Sequence, residues 1–296
     1  MDYIRTKTIL SKNKTSDWFG NDYNMNLYRG CCHGCIYCDS RSKCYQFDHE
    51  FEDIGVKQNA PELLEQALRS KRKRCVIGTG SMCDPYLPAE KELRLTRRCL
   101  ELIDRYDFGA AVLTKSDLVL RDIDLLGSIN AKGKAVVQMT LTTYDEALCR
   151  TVEPAVCTTR RRFEALCTLR DAGIPTVVWL CPILPFINDT RENIAGILDL
   201  CVRAGVKGVV CFGMGMTLRE GSREYYYASL DKHFPGLRRR YETAYGTAYE
   251  LPSPNTPELM RLFHTTCERH GIMHDNEQIF AYMRELPEQY EQMTLF

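Results

Sequence analysis

Between about residues 59 and 212 the chain alternates amphipathic helical stretches with short, continuously apolar ones, and this alternation limits the possible folds most. The amphipathic PELLEQALRSK leads into the apolar RCVIGTG, and EKELRLTRRCLELIDRY, with Leu95, Cys99, Leu102 and Ile103 on one stripe, leads into GAAVLTK. DIDLLGSIN then precedes AVVQMTLTT, and RRFEALCTLRDAG precedes PTVVWLCPILP. Last, DTRENIAGILDLCVRAG precedes VKGVVCFG, with Gly173 and Gly205 expected as C-terminal caps of their helices. With YNMNLYRG as an opening strand, six βα-type units result. Strands that are apolar throughout are buried on both faces, which indicates a parallel sheet covered by helices. Six units, not eight, predict an α/β fold of the partial (β/α)6 type, a TIM-like barrel open on one side. In parallel α/β folds the chemistry gathers at the carboxyl ends of the strands.

The alternation stops after Gly213. Residues 213–296 are rich in Tyr and turn residues, with one further helix expected near PELMRLFHTTCERHG and an acidic, glutamine-rich end. This suggests two parts, a barrel with an N-terminal extension over 1–212 and an accessory region over 213–296. The charge is balanced, 39 basic against 39 acidic residues, so a wholly basic nucleic-acid surface is not indicated. The basic runs at 71–74, 160–162 and 238–240 read first as solvated helix faces. No apolar run reaches the length of a membrane span, and the first twenty residues lack the apolar core of a signal peptide. A cytoplasmic location is the expectation, and fifteen cysteines there stay as thiols or ligands.

Residues 28–38, YRGCCHGCIYC, follow the opening strand and so lie where a site belongs. Four cysteines in eight positions admit a zinc knuckle, a disulfide cluster, a redox pair or an iron–sulfur site. Structural zinc sites use two separated ligand pairs, and no second pair follows at suitable spacing. A thioredoxin-like pair would leave two of the four cysteines superfluous. Taken as Cys31, Cys35 and Cys38, the loop offers three thiolates from a short segment in which Gly34 supplies backbone freedom.

The pattern Cys31-x-x-x-Cys35-x-Tyr37-Cys38 after a first strand resembles the cluster motif of the radical S-adenosylmethionine superfamily. Together with GTGSMCDPYLPAEKELRLTR, LTKSDLVLRDIDLL, VEPAV and CPILPFINDT it is similar to the spore photoproduct lyase-like branch over nearly the whole chain. The resemblance implies that Cys31, Cys35 and Cys38 hold a [4Fe–4S] cluster whose fourth iron is chelated by S-adenosylmethionine (AdoMet). Cys32 is then a neighbour and not a ligand. One electron, from a donor of the flavodoxin or ferredoxin type, frees a 5′-deoxyadenosyl radical that abstracts hydrogen from substrate. Family position puts Ser81 and Asp84 near the methionine moiety and Lys115 at its carboxylate. Thr140 or Thr142 is expected at the ribose, with Arg162 facing the site.

Branch members of known activity act on thymine-dimer lesions, which makes a nucleobase in DNA the expected substrate. Two positions depart from the lyase pattern. Ser81 stands where the lyase has a hydrogen-returning cysteine, with Cys83 two residues on, and Asp39 stands where it has a relay tyrosine. Tyr37, Ser81 and Cys83 remain the candidates for handling the hydrogen atom. The terminal Gln292–Phe296 (QMTLF) resembles the peptide by which bacterial proteins dock on the replication sliding clamp. A radical enzyme acting on a peptide or small metabolite is the alternative. Its peptide-maturing members carry extra cysteines in the C-terminal extension, where this chain has Cys267 alone. A non-catalytic iron–sulfur or zinc protein is the third reading.

Overall fold

The structure, a computed structural model, describes residues 1–13 and 20–287, so the terminal Gln292–Phe296 lies outside the described residues. The chain opens with strands β1 (Asp2–Ile4), β2 (Leu10–Lys12), β3 (Tyr23–Met25) and β4 (Tyr28–Arg29), and β5 (Gly55–Lys57) follows the cysteine loop. Alternation then sets in with α1 (Ala60–Ser70), β6 (Val76–Thr79), α2 (Glu90–Leu93), α3 (Leu95–Arg105), β7 (Gly109–Thr114) and α4 (Ile123–Lys132). It continues through β8 (Ala135–Thr140), α5 (Glu146–Val152), α6 (Thr159–Asp171), β9 (Thr176–Trp179), α7 (Arg191–Ala204) and β10 (Gly208–Val210).

The six strands β3, β6, β7, β8, β9 and β10 pair in parallel and in chain order, as expected of a (β/α)6 half-barrel. A seventh strand, β2, adds antiparallel to β3 at one edge, and the sheet does not close. The expected opening strand over 23–30 divides in two. β3 enters the main sheet, whereas β4 pairs with β5 in a separate three-stranded sheet that also holds β1. Asn26 and Leu27 make the break, and the register carries the cysteine loop across the carboxyl end of β3.

Alternate strand residues face opposite ways, and the two faces bury different partners. Outward, Ile77, Val112, Val137, Met139, Val178 and Val209 share a core with Leu64, Leu100, Ile103, Leu166 and Ile197 of the covering helices. A side chain of this size contributes about 1.5–3 kcal/mol when fully buried, so these stripes hold the helices on the sheet. Inward, Val136, Val177, Trp179 and Val210 pack against Ile279, Phe280 and Met283.

Those three residues belong to α11 (Asn276–Arg284), which the sequence did not lead us to expect. Residues 213–287 also form β11 (Gly215–Thr217), α8 (Ser222–His233), α9 (Leu237–Tyr245), β12 (Glu250–Pro252) and α10 (Thr256–His270). The single helix expected here is α10, so α8, α9 and α11 correct that reading. Tyrosines are moderate helix formers, but Tyr226, Tyr227 and Leu230 bury one face of α8 against Tyr241 of α9, and this packing overrides local propensity. Each helix of this region packs into a cluster that contains barrel residues: α10 with the outer helical layer, α11 with the inner face, α8 and α9 with the cysteine loop.

Candidate active site

The cysteine loop is pinned at both ends by backbone geometry. Gly30 has φ +84°, and a Cβ there would come 2.5 Å from the Phe51 carbonyl oxygen, the same oxygen that accepts from Cys31 N at 2.9 Å. Gly34 has φ +67°, with a Cβ position 3.2 Å from Pro154 Cγ. Residues 152–155 grip the loop in sequence. Ile36 N donates to the Val152 carbonyl at 3.0 Å, the Tyr37 hydroxyl donates to the Glu153 carboxylate, and Ala155 N donates to the His33 carbonyl at 3.2 Å.

Cys35 is buried, while Cys31, Cys32 and Cys38 are partly buried, and all are free thiols. Burial pushes the Cys35 thiol up to about 12, against the opposing charge of Lys115. Burial also raises Cys31 well above the ordinary thiol value, and the neighbouring Cys38 and Cys35 add to the effect. Three thiols from one loop thus sense one another, which is costly for three thiolates unless a cation holds them together. Among the described residues no three His, Cys, Asp or Glu side chains converge tightly enough to hold a single metal ion.

Lys115 follows β7 and turns its ammonium to this loop. Burial works against its charge, but Cys35, Glu153 and Cys38 outweigh burial and raise it. Asp84, expected near the methionine moiety, is buried and acts as a bracket. Its carboxylate accepts from Tyr86 N at 2.8 Å, Thr114 Oγ1 at 2.7 Å and Lys115 N at 2.7 Å, and lies 3.5 Å from His33 Nδ1. It therefore joins the loop after β6 to the end of β7 and to the cysteine loop, and its position fixes that of Lys115. Ser81 is half-buried, its hydroxyl 3.3 Å from the Asn26 side chain.

Other expected residues have partners within the protein. Cys83 is buried in the outer core, where its Sγ donates to the Tyr28 carbonyl at 3.2 Å, and burial raises its thiol to about 12. Its thiol is thus bonded to the backbone just before the cysteine loop. Thr142 is fully buried with its hydroxyl 3.4 Å from that of Thr143, while its carbonyl accepts from Asn188 and Asn193 at 2.9 Å each. Thr140 is on the inward face of β8, and its carbonyl accepts from Arg162 Nη1 at 2.9 Å. Arg162 does not face open space: it is fully buried, bonded to Thr140 O, Cys157 O and the Glu153 carboxylate. Charge burial decides this, because a guanidinium with no exposure needs a carboxylate partner, and Glu153 supplies it. Glu153 and His33 are site residues that the sequence reading did not single out. Their signal was position alone, one in VEPAV and one inside the cysteine loop.

A model of the radical SAM superfamily matches residues 25–201. The chain belongs to the radical SAM superfamily. As a member it is an enzyme of that superfamily and binds a [4Fe–4S] cluster and AdoMet. It is 30% identical over 269 residues to uncharacterized protein Rv2578c of Mycobacterium tuberculosis, covering 87% of this chain and 77% of the relative. It is 34% identical over 174 residues to uncharacterized protein MJ0683 of Methanocaldococcus jannaschii, covering 58% and 64%. In fold it resembles spore photoproduct lyase. A variant of that enzyme bound to AdoMet and dinucleoside spore photoproduct aligns with TM-score 0.66 at 15% identity, over 92% of this chain and 80% of the other. Another variant aligns with TM-score 0.68 at 16% identity over the same shares. The radical SAM partial barrel expected from the sequence is therefore the fold observed. Among the described residues no helix is long and apolar enough to cross a membrane.

Proposed function

We propose that this radical SAM enzyme holds its cluster through Cys31, Cys35 and Cys38 and abstracts hydrogen from a nucleobase in DNA. The observation that carries the ligand assignment is one short loop, shaped by Gly30 and Gly34, that supplies three free thiols and has the Lys115 ammonium over its Tyr37 ring. The donor set fits a cubane with one open iron. When bound, the cluster supplies an electron to the sulfonium of AdoMet and so furnishes a carbon radical for hydrogen abstraction.

The chain's own residues then have distinct tasks. Lys115 meets the AdoMet carboxylate, and Asp84 holds Lys115 in place through the backbone amide. Ser81, after β6, would meet the methionine portion and Thr140, at the end of β8, the ribose. Tyr37 closes the loop side, with its hydroxyl committed to Glu153. Cys83, buried behind the site, packs the core and relays no hydrogen. A flavodoxin- or ferredoxin-type donor would supply that electron.

The nucleobase reading draws its support from the resemblance that runs from the cysteine loop to CPILPFINDT, and from a fold likeness that extends through the C-terminal region. The absence of a cysteine at position 81 favours a reaction related to, but different from, spore photoproduct repair. Anaerobic reconstitution, reductant and AdoMet test it, with ultraviolet-treated and undamaged oligonucleotides in parallel. We expect 5′-deoxyadenosine in all, faster with one of the DNA samples, and salt-sensitive DNA binding. Cleavage indifferent to every DNA, with no such binding, would overturn the nucleobase reading in favour of a peptide or small metabolite. For the clamp-docking peptide Gln292–Phe296, deleting residues 292–296 should abolish co-elution with the cognate sliding clamp.

A further inference from the structure

The segment 152–155 touches the cysteine loop at His33, Gly34, Ile36 and Tyr37, so four consecutive residues grip the loop that carries Cys35 and Cys38. This grip is anchored to the sheet by one side chain. Arg162, at the start of α6, bonds both the Glu153 carboxylate and the carbonyl of Thr140 at the end of β8. Neither Glu153 nor Arg162 has measurable side-chain exposure. Two opposite charges are thus sealed directly behind the loop, where little water screens them.

We propose that the Glu153–Arg162 pair positions the cysteine loop and holds the charge behind it at zero, so that the reduction potential of the bound cluster depends on both members. The inference rests on the assignment of Cys31, Cys35 and Cys38 as cluster ligands. Net charge and hydrogen bonding around a cluster are among the chief determinants of its potential. With the pair intact, the loop also faces the Lys115 ammonium and the Asp84 carboxylate. Removing the carboxylate of Glu153 leaves the guanidinium unpaired and favours the reduced cluster, whereas removing the guanidinium leaves an anion that disfavours it. The pair acts through the loop and touches no reacting atom, so both are positioning residues.

The test is potentiometric titration of the reconstituted holoenzyme, followed by electron paramagnetic resonance, with iron and sulfide content measured on the same samples. Glu153→Gln should move the potential upward and Arg162→Met downward, each by about tenfold in the reduction equilibrium constant, or ~59 mV for one electron. The double variant should return to within about twofold of the unsubstituted enzyme, because it too is neutral. Arg162→Lys, which keeps the charge, should also stay near it. Shifts in the same direction, no shifts in loaded samples, or Arg162→Lys moving as far as Arg162→Met would overturn the proposal. If a single variant loads no iron, the double variant and Arg162→Lys decide, a displaced potential in either counting against the pair. An unsubstituted protein whose cluster spectrum is absent or unaltered by AdoMet would sink the ligand assignment itself, a result distinct from failure of the pair.

Discussion

The ammonium of Lys115 stands 5.8 Å from the centre of the Tyr37 ring, so the residue that ends β7 and the aromatic of the cysteine loop form one wall of the site. The wall is fixed from two sides. Asp84 holds the lysine by its backbone amide, and Glu153 holds the tyrosine by its hydroxyl.

Replacing Lys115 by Met should weaken AdoMet binding by about tenfold to a hundredfold, the range expected for one lost hydrogen bond to a charged group. Arg should restore part of it. Steady-state AdoMet cleavage with KM and kcat separated is the check, and an unchanged KM would remove Lys115 from the carboxylate.

Alanine at Cys31, Cys35 or Cys38 should each abolish iron retention, while Cys32→Ala should retain it. Cys83→Ala should keep both the cluster and AdoMet cleavage, since its Sγ faces the Tyr28 carbonyl within the core. A loss of about 1 kcal/mol of stability is expected there, from one buried bond and a small void. Loss of cleavage in an iron-replete Cys83→Ala sample would return the thiol to the chemistry.

Glu153 gives a pH signature. Burial raises its carboxyl, but Arg162 and Lys115 prevail and hold it below the usual value. A lowered folded value stabilises above the unfolded one of about 4.3 and loses that contribution as pH falls through the folded value. The Glu153→Gln variant should therefore show a shallower loss of stability below about pH 4.5 than the unsubstituted apo-protein. Urea unfolding between pH 3 and pH 6, about the range in which carboxylates titrate, reads this directly.

Phe280→Ala should cost about 3–5 kcal/mol, the usual range for a buried Phe, because the ring is 3% exposed among Trp179, Val210 and Met283. Denaturant midpoints measure it. A cost under about 1 kcal/mol would mean that α11 does not hold the inner face.

The βα alternation was legible because it rests on periodicity, and each of its six strands lies within a segment the sequence marked. What escaped is tertiary in origin. α8 escaped because Tyr226 and Tyr227 favour a helix only when Tyr241 packs on them, and α11 because its apolar face has meaning only beside Val177 and Trp179. At the site, the thiols of the loop and the strand-end Lys115 could be read from spacing and position. The roles of Asp84 and Arg162 could not, since each depends on a partner distant in sequence: Thr114 lies thirty residues from Asp84, and Thr140 lies twenty-two from Arg162.

α11 has a consequence for traffic. Ile279 lies 2.9 Å from the Cβ position of Gly208, where β10 begins, and Leu286 lies 3.1 Å from that of Gly109, where β7 begins. Helix and following residues thus line the inner face from the carboxyl end of β10 down to the start of β7. Ligands should therefore reach the site from the strand ends that carry the cysteine loop or past the open edge of the sheet.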